Sequence, residues 1–224
     1  MGWDGSVMGN GLCMHAQTIA HNRYTRYHFP LMNSKKIGQL FVVSGPSGVG
    51  KGTVIKGVLA ANADISVAVS ATTRSPRPGE VHGQSYYFLS DAAFDRNIQE
   101  DAFLEWCWVH DKRYGTLKSE VHRIQDLGKH VILEIDTQGA EKMKHTRPDA
   151  QLIFIAPPHE SDLESRLRGR ASDSEETILR RLLVAEKELA CKDDYHIVIV
   201  NDVVERAVAD ILTYIQTKQE GCPS

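Results

Sequence analysis

No two cysteines in this chain stand close enough to form a C-x-x-C pair: Cys13, Cys107, Cys191 and Cys222 are scattered along 224 residues. That spacing argues against a zinc ribbon and against a disulfide framework, and it fits a reducing cytosol. No apolar run approaches the ~20 residues that a membrane-spanning helix needs. Positive charge is not in excess either. Lys and Arg number 26 against 29 Asp and Glu, a net charge of −3, so the general electrostatic footprint of a nucleic-acid binder is missing. Repeats and low-complexity tracts are absent too. What is left is an ordinary globular composition, with enough length for one well-filled core and for lobes inserted into it.

The first stretch, Met1 to Leu31, is poor in its own way. Asp4 is its one acid, beside Arg23, Arg26 and three histidines, and Gly2, Gly5, Gly9 and Gly11 interrupt it without any helical or strand period. It has no apolar core for a secretory signal. Its low acid content resembles an organelle transit peptide only faintly, because serines are few and amphipathicity is poor. Two readings stand: the segment belongs to a disordered extension over residues 1–35, or Met1 to Leu31 follow an upstream start codon and Met32 opens the functional protein.

The stretch with the most chemistry is Leu40 to Thr53, LFVVSGPSGVGKGT. Leu40-Phe41-Val42-Val43 is a short apolar run of strand formers. Gly45-Pro46-Ser47-Gly48-Val49-Gly50-Lys51 is a G-x-x-x-x-G-K loop, and Thr53 to Ala61 suits a helix. Strand, glycine loop and helix together are the setting of a phosphate-binding loop. Its backbone N–H groups converge on one point, the helix adds the positive end of its dipole, and Lys51 adds a full charge. The usual hydroxyl after the lysine is Gly52 here, with Thr53 following. A metal ion would then be held through water and phosphate, or Thr53 would substitute for the missing ligand.

Further on, Asp64 to Ser70 alternates like a strand and runs into Ala71 to Glu80, a loop with two prolines, hydroxyls, Arg74 and Arg77. Arginine forks match phosphate oxygens, so this loop either clamps a second phosphate or is a solvated basic segment. Gly83 to Phe88 reads as a short strand, and Asp91 to Gln99 as a helix capped by Ser90 or Asp91. Phe103 to Val109 is apolar with one carboxylate, Glu105, which either faces solvent or is buried against a partner. Tyr114-Gly115-Thr116 opens a helix to about Leu127, closed by Gly128. His130 to Ile135 is a buried strand whose end carries Glu134 and Asp136 on one face. Asp136 is either a metal-ordering acid or the cap of a helix from Thr137. Gln151 to Ala156 is a strand. Asp162 to Arg170 starts a helix with an arginine cluster, and Ser174 to Ala190 is a long amphipathic helix with Arg180 and Arg181. This pair is either a lid over phosphates or two solvated helix faces. His196 to Val200 is the last strand, and Asn201-Asp202 caps a helix to about Gln216. Strands alternating with helices predict an α/β layer structure with a mostly parallel sheet, interrupted by short strands between about Val69 and Leu127.

Residues of about Gln39 to Thr217 resemble guanylate kinase. The segments that carry the resemblance are SGPSGVGKGT, SVAVSATTRSPRPGE, GQSYYF, FLEW, YGT, VILEIDTQG, IFIAPP, LRGR and VIVND, in that order. The resemblance implies the fold of a P-loop nucleoside monophosphate kinase. Its core spans about 36–68 and 128–224, its GMP-binding lobe about 69–127 and its helical lid about 158–190. It implies transfer of phosphoryl from ATP to GMP with Mg²⁺, giving ADP and GDP in purine recycling, in the cytoplasm, with no nucleic acid or membrane partner. Deoxy-GMP remains open as an acceptor, and so does the oligomeric state. By the same resemblance, Gly45 to Gly52 and Thr53 hold ATP phosphates, and Asn201 lies near the adenine. Ser70, Arg74, Arg77 and Tyr86 hold the GMP phosphate, with Tyr114 in that pocket. Glu105 and Thr116 read guanine. Glu134 and Asp136 lie near metal and substrate. Lys51, Arg74, Asp136, Arg166, Arg170 and Arg181 serve the transferring phosphate. No metal ligand is fixed by the motif, and Mg²⁺ is expected on phosphates and water. A scaffold module with an eroded loop is disfavoured by the intact Gly45, Gly48, Gly50 and Lys51. A kinase of another phosphorylated small molecule is disfavoured by Glu105 with Thr116.

Overall fold

Leu40–Ser44 (β1) is buried at every position, as a strand covered on both faces must be. It is the centre of a five-stranded sheet of order β2-β7-β1-β8-β9, with all pairings parallel. The other members are Ile65–Val67 (β2), His130–Glu134 (β7), Gln151–Ala156 (β8) and Ile197–Val200 (β9). The alternation of side chains divides them between two apolar layers. Phe41, Val43, Ile132, Ile153 and Ile155 pack with Val54, Ile55 and Val58 of α1 (Lys51–Ala61). They also meet Ala207, Ile211 and Ile215 of α6 (Val204–Glu220) and Ala185 of α5 (Glu175–Ala190). Leu40, Val42, Val131, Leu133 and Leu152 face the opposite way, onto Val121 and Ile124 of α3 (Lys118–Asp126) and Ala140 and Met143 of α4 (Thr137–Thr146). Each buried Val, Leu, Ile, Phe or Met among them contributes roughly 1.5–3 kcal/mol.

A second sheet has the order β4-β3-β6-β5. Its strands are Ala71–Thr72 (β3), Tyr87–Phe88 (β4), Phe103–Val109 (β5) and Lys112–Leu117 (β6), covered by α2 (Asp91–Gln99). Phe94 of α2 stacks on Phe103 with centroids 4.4 Å apart, and Ser90 caps the helix by accepting from the Ala93 N–H at 3.2 Å. One carboxylate gathers the junction of the two sheets. Glu120 of α3 accepts from the Val69 N–H (3.1 Å), the Tyr87 hydroxyl (3.2 Å) and both arms of Arg123 (2.9 Å each).

The computed structural model describes residues 37–109, 111–159, 161–163 and 175–220, all within the compact unit Lys35–Ser224. Four expectations need correction. Tyr114-Gly115-Thr116 does not open a helix. These residues lie in β6, where Cys107 pairs with Tyr114 and Trp106 with Gly115, and α3 begins only at Lys118. The glycine there answers to packing, since a Cβ would stand 2.8 Å from the Glu105 carbonyl oxygen and from the Trp106 Cβ. The strand from Asp64 ends at Val67, because the chain then crosses to the second sheet. In Gly83 to Phe88 only Tyr87–Phe88 is strand, since Gln84 and Ser85 close turns on the Val81 carbonyl. The closing helix runs on to Glu220.

Candidate active site

The phosphate loop follows β1 directly. Gly45, Gly48 and Gly50 have φ of 142°, 85° and 99°, values that side chains of L-residues resist. At Gly45 space is limiting as well, for a Cβ would stand 2.2 Å from the Ile155 carbonyl oxygen of β8. Gly50 leads into α1, whose first residue is Lys51. The Lys51 ammonium folds back onto the loop and donates to the carbonyls of Gly45 (2.5 Å) and Pro46 (3.1 Å). Burial pushes it below its usual range, while the carboxylates of Glu188, Glu134 and Asp136 oppose that shift. Asn201, buried at the end of β9, donates its amide to the Val49 carbonyl at 2.7 Å. Its side chain therefore fastens the back of the loop. The Ser47 N–H donates to the Glu188 carboxylate of α5 at 3.2 Å.

From the loop a cleft of about 720 Å³ runs to the second sheet. Ser47, Lys51, Gly52, Glu134, Asp136 and Glu188 line one end, and Ser70, Tyr86, Glu105, Cys107 and Tyr114 the other. The carboxylates at the end of β7 have different settings. Asp136 caps α4 by accepting from the Gly139 N–H at 2.8 Å, and it also accepts from the Cys107 thiol at 3.4 Å. Of the two readings for Asp136 the structure shows the helix cap, and the carboxylate also lines the cleft. Burial beside these acids holds the Cys107 thiol well above the usual range.

At the far end, Glu105 is 5% exposed, which selects the buried alternative for its carboxylate. The Thr116 hydroxyl donates to its Oε1 at 2.8 Å. Burial pushes its pKa to about 7, Thr116 pulls the other way, and Asp136 adds to the rise. The first turn of α4 reaches this carboxylate because residue 139 is glycine; a Cβ there would stand 3.0 Å from Glu105 Oε2 and 3.3 Å from Asp136 Oδ1.

Arg74 sits between these groups and the loop at 75–80. It donates to Glu80 (2.8 Å) and to the Ser75 carbonyl (2.7 Å), and its guanidinium lies 5.4 Å from the Tyr86 ring centroid. The Glu80 hydrogen bond raises its already high pKa. Tyr86 meets Tyr114 edge-on at 6.0 Å. The Arg77 N–H donates to Glu80 at 2.7 Å, so one acid organises both arginine-bearing positions. Arg181 lies in α5, whereas Arg166 and Arg170 fall outside the described residues. Sequence reasoning overlooked Glu188, Gly139 and Cys107. All three acquire their place through partners far along the chain, and no local pattern marks them. Among the described residues no helix is long and apolar enough to cross a membrane, and no group of three His, Cys, Asp or Glu is arranged to hold a metal ion.

The sequence model of the guanylate kinase family matches residues 37–218. A guanylate kinase of Caldanaerobacter subterraneus subsp. tengcongensis is 47% identical over 184 residues, covering 82% of this chain and 89% of that protein. One of Rubrobacter xylanophilus is 46% identical over 175 residues, covering 78% and 92%. Among solved structures, guanylate kinase from Anaplasma phagocytophilum superposes with a TM-score of 0.67 at 31% identity, over 82% of this chain and 87% of that one. A glycine loop on the central strand, a cleft leading from it to a buried carboxylate, and matches over most of both chains agree: this chain belongs to the guanylate kinase family.

Proposed function

We propose that the chain transfers the γ-phosphoryl group of ATP to GMP, forming ADP and GDP. The observation that carries this reading is the single cleft with Lys51 at one end and the buried Glu105–Thr116 pair at the other. ATP lies with its phosphates on the loop, where the N–H groups of Gly48 to Gly52 and the Lys51 ammonium receive them. To do so Lys51 gives up the Gly45 and Pro46 carbonyls. GMP lies at the second sheet. Its phosphate meets Arg74 and the hydroxyls of Tyr86, Tyr114 and Ser70, with Arg77 on the same loop. Its guanine meets Glu105, because an ionised carboxylate accepts from both N1–H and the 2-amino group. Thr116, which donates to Glu105, then turns its hydroxyl toward O6.

The two substrates face each other across Glu134 and Asp136. A GMP phosphate oxygen attacks the γ-phosphorus in line, and the chain's task is alignment and charge neutralisation. No strong base is needed, since the attacking oxygen is already anionic near neutral pH. Arg181, with Arg166 and Arg170, is assigned to charge on the transferring group. Asn201 supports the loop from behind. The residues also fit a divalent cation. Mg²⁺ takes one or two carboxylates and completes its shell with phosphate and water, and Glu134 and Asp136 supply such oxygens. Gly52 leaves space beside them, as a Cβ there would stand 3.7 Å from Glu134 Oε1. When bound, Mg²⁺ neutralises charge on the phosphate oxygens. A cytoplasmic setting fits the free thiols Cys107 and Cys191.

The test is ADP formation from ATP with GMP, AMP, CMP or UMP as acceptor. GMP should be used at least ~10⁴-fold more efficiently than AMP, because adenine lacks the donors Glu105 requires and leaves the carboxylate buried and unpaired. Comparable rates with AMP would overturn the guanine assignment.

A further inference from the structure

Glu188 has no role in the reading above, yet its carboxylate occupies a place that the phosphate loop offers to anions. Its Oε2 accepts from the Ser47 N–H at 3.2 Å, and it lines the nucleotide cleft together with Lys51. Among the acids acting on the Lys51 ammonium, Glu188 has the largest effect. The helix that carries it cannot easily withdraw. Ala185 of α5 is 1% exposed and belongs to the same apolar layer as Val49 of the loop, with Leu182 and Leu189 packed against that layer. The side chain nevertheless has somewhere to go. Glu188 also lines a second cavity of about 430 Å³ between α4 and α5, together with Thr137, Gln138, Lys144 and Lys187. That cavity holds Lys187 and Lys144, the latter paired with Asp194 at 2.7 Å, and also the acid Glu141.

We propose that Glu188 is a positioning residue that serves as an internal anion of the phosphate loop, and that the triphosphate of ATP displaces it. This rests on the reading that ATP binds at the loop. Two anions cannot share the site, since like charges in a partly desolvated cleft repel strongly. The carboxylate satisfies the Ser47 N–H and acts on Lys51, so on this proposal the loop keeps its anion-receiving shape before nucleotide arrives. The displacement is charged against ATP affinity, and its removal should show as tighter binding.

The experiment is titration calorimetry with ATP and with inorganic tripolyphosphate on the full chain, comparing wild type, Glu188→Gln, Glu188→Asp and Lys51→Ala, with melting curves as a check on folding. Glu188→Gln keeps the shape and loses the charge, so both ligands should bind about tenfold more tightly than to wild type, with the KM for GMP unchanged. Glu188→Asp keeps the charge but shortens the reach to Ser47, and should lie between the two. If Glu188→Gln melts early, the comparison of Glu188→Asp with wild type serves instead. Tighter binding supports the proposal and unchanged or weaker binding overturns it. Binding of ATP to wild type with no gain in either Glu188 variant overturns this proposal alone. Equal ATP binding by wild type and Lys51→Ala overturns the loop assignment, and this proposal with it.

Discussion

The two ends of the cleft are built from different materials. The phosphate end is made of backbone. Its geometry comes from left-handed glycines, a strand buried on both faces and the start of a helix, and Lys51 is the one charge the loop itself contributes. The base end is made of side chains. Glu105 and Thr116, Arg74 and Glu80, and the two tyrosines hold one another through individual hydrogen bonds and ring contacts, on β5, β6 and the loop between β3 and β4. A site of the first kind recognises a chemistry that many ligands share, namely phosphate. A site of the second kind recognises one ligand, and it is correspondingly exposed to single substitutions.

That contrast can be broken from either side. The largest effect is expected for Lys51→Ala. Loss of one preorganised charge at the transferring phosphate costs roughly 3–4 kcal/mol in barrier, with the melting temperature nearly unchanged. Turnover within a few-fold of wild type would show that the loop works through backbone alone. Next comes Glu105→Ala, which should reduce kcat/KM for GMP by about 2–3 kcal/mol while leaving the KM for ATP alone, as befits a charged hydrogen-bonding group. A harmless Glu105→Ala would mean the base end is less specific than its construction implies. Arg74→Ala should raise the KM for GMP by the equivalent of about 2 kcal/mol and that for ATP far less, and equal effects on both would place Arg74 with the phosphate end. The smallest effect sharpens the comparison through pH. Glu105 has its pKa pushed to about 7, so it is protonated below that value and ionised above it, and only the ionised form accepts both guanine donors. Guanosine, which lacks a titrating phosphate, should inhibit roughly tenfold more weakly at pH 6 than at pH 8. That slope should vanish in Glu105→Gln.

The same contrast explains what could be read in advance. β1, the glycine loop and α1 are contiguous in the chain and follow from local pattern: four apolar strand formers, glycines at the turns, then a helical segment. Glu134 and Asp136 both line the cleft, but not by a strand's period of two, because β7 ends at Glu134 and Asp136 is already the cap of α4. The burial of Glu105 was not legible, since it depends on Thr116 across a hairpin and on the close approach of Gly139 from the other sheet's helix. Tyr114-Gly115 has the composition of a turn, and only its pairing with Trp106 and Cys107 makes it strand. Asn201 could be placed at the end of a strand, but its bond to Val49 spans 152 residues. Glu188 meets Ser47 across 141.

Asp136 belongs to both ends of the cleft. It caps α4 through Gly139, accepts from Cys107 and contributes to the raised pKa of Glu105, and it also acts on the Lys51 ammonium. Electrostatic influence of this kind is mutual. Whatever charge arrives at the phosphate end changes the cost of ionising Glu105, and whatever guanine does to the ionisation of Glu105 is returned to the phosphate end by the same free energy. On the proposed reading, a cation beside Asp136 would lower the proton affinity of Glu105, and an acceptor nucleotide that holds Glu105 ionised would deepen the negative potential that the cation meets. The two halves of the cleft are therefore coupled through the proton of Glu105: a cation at the phosphate half favours its release, and anionic phosphate there favours its uptake.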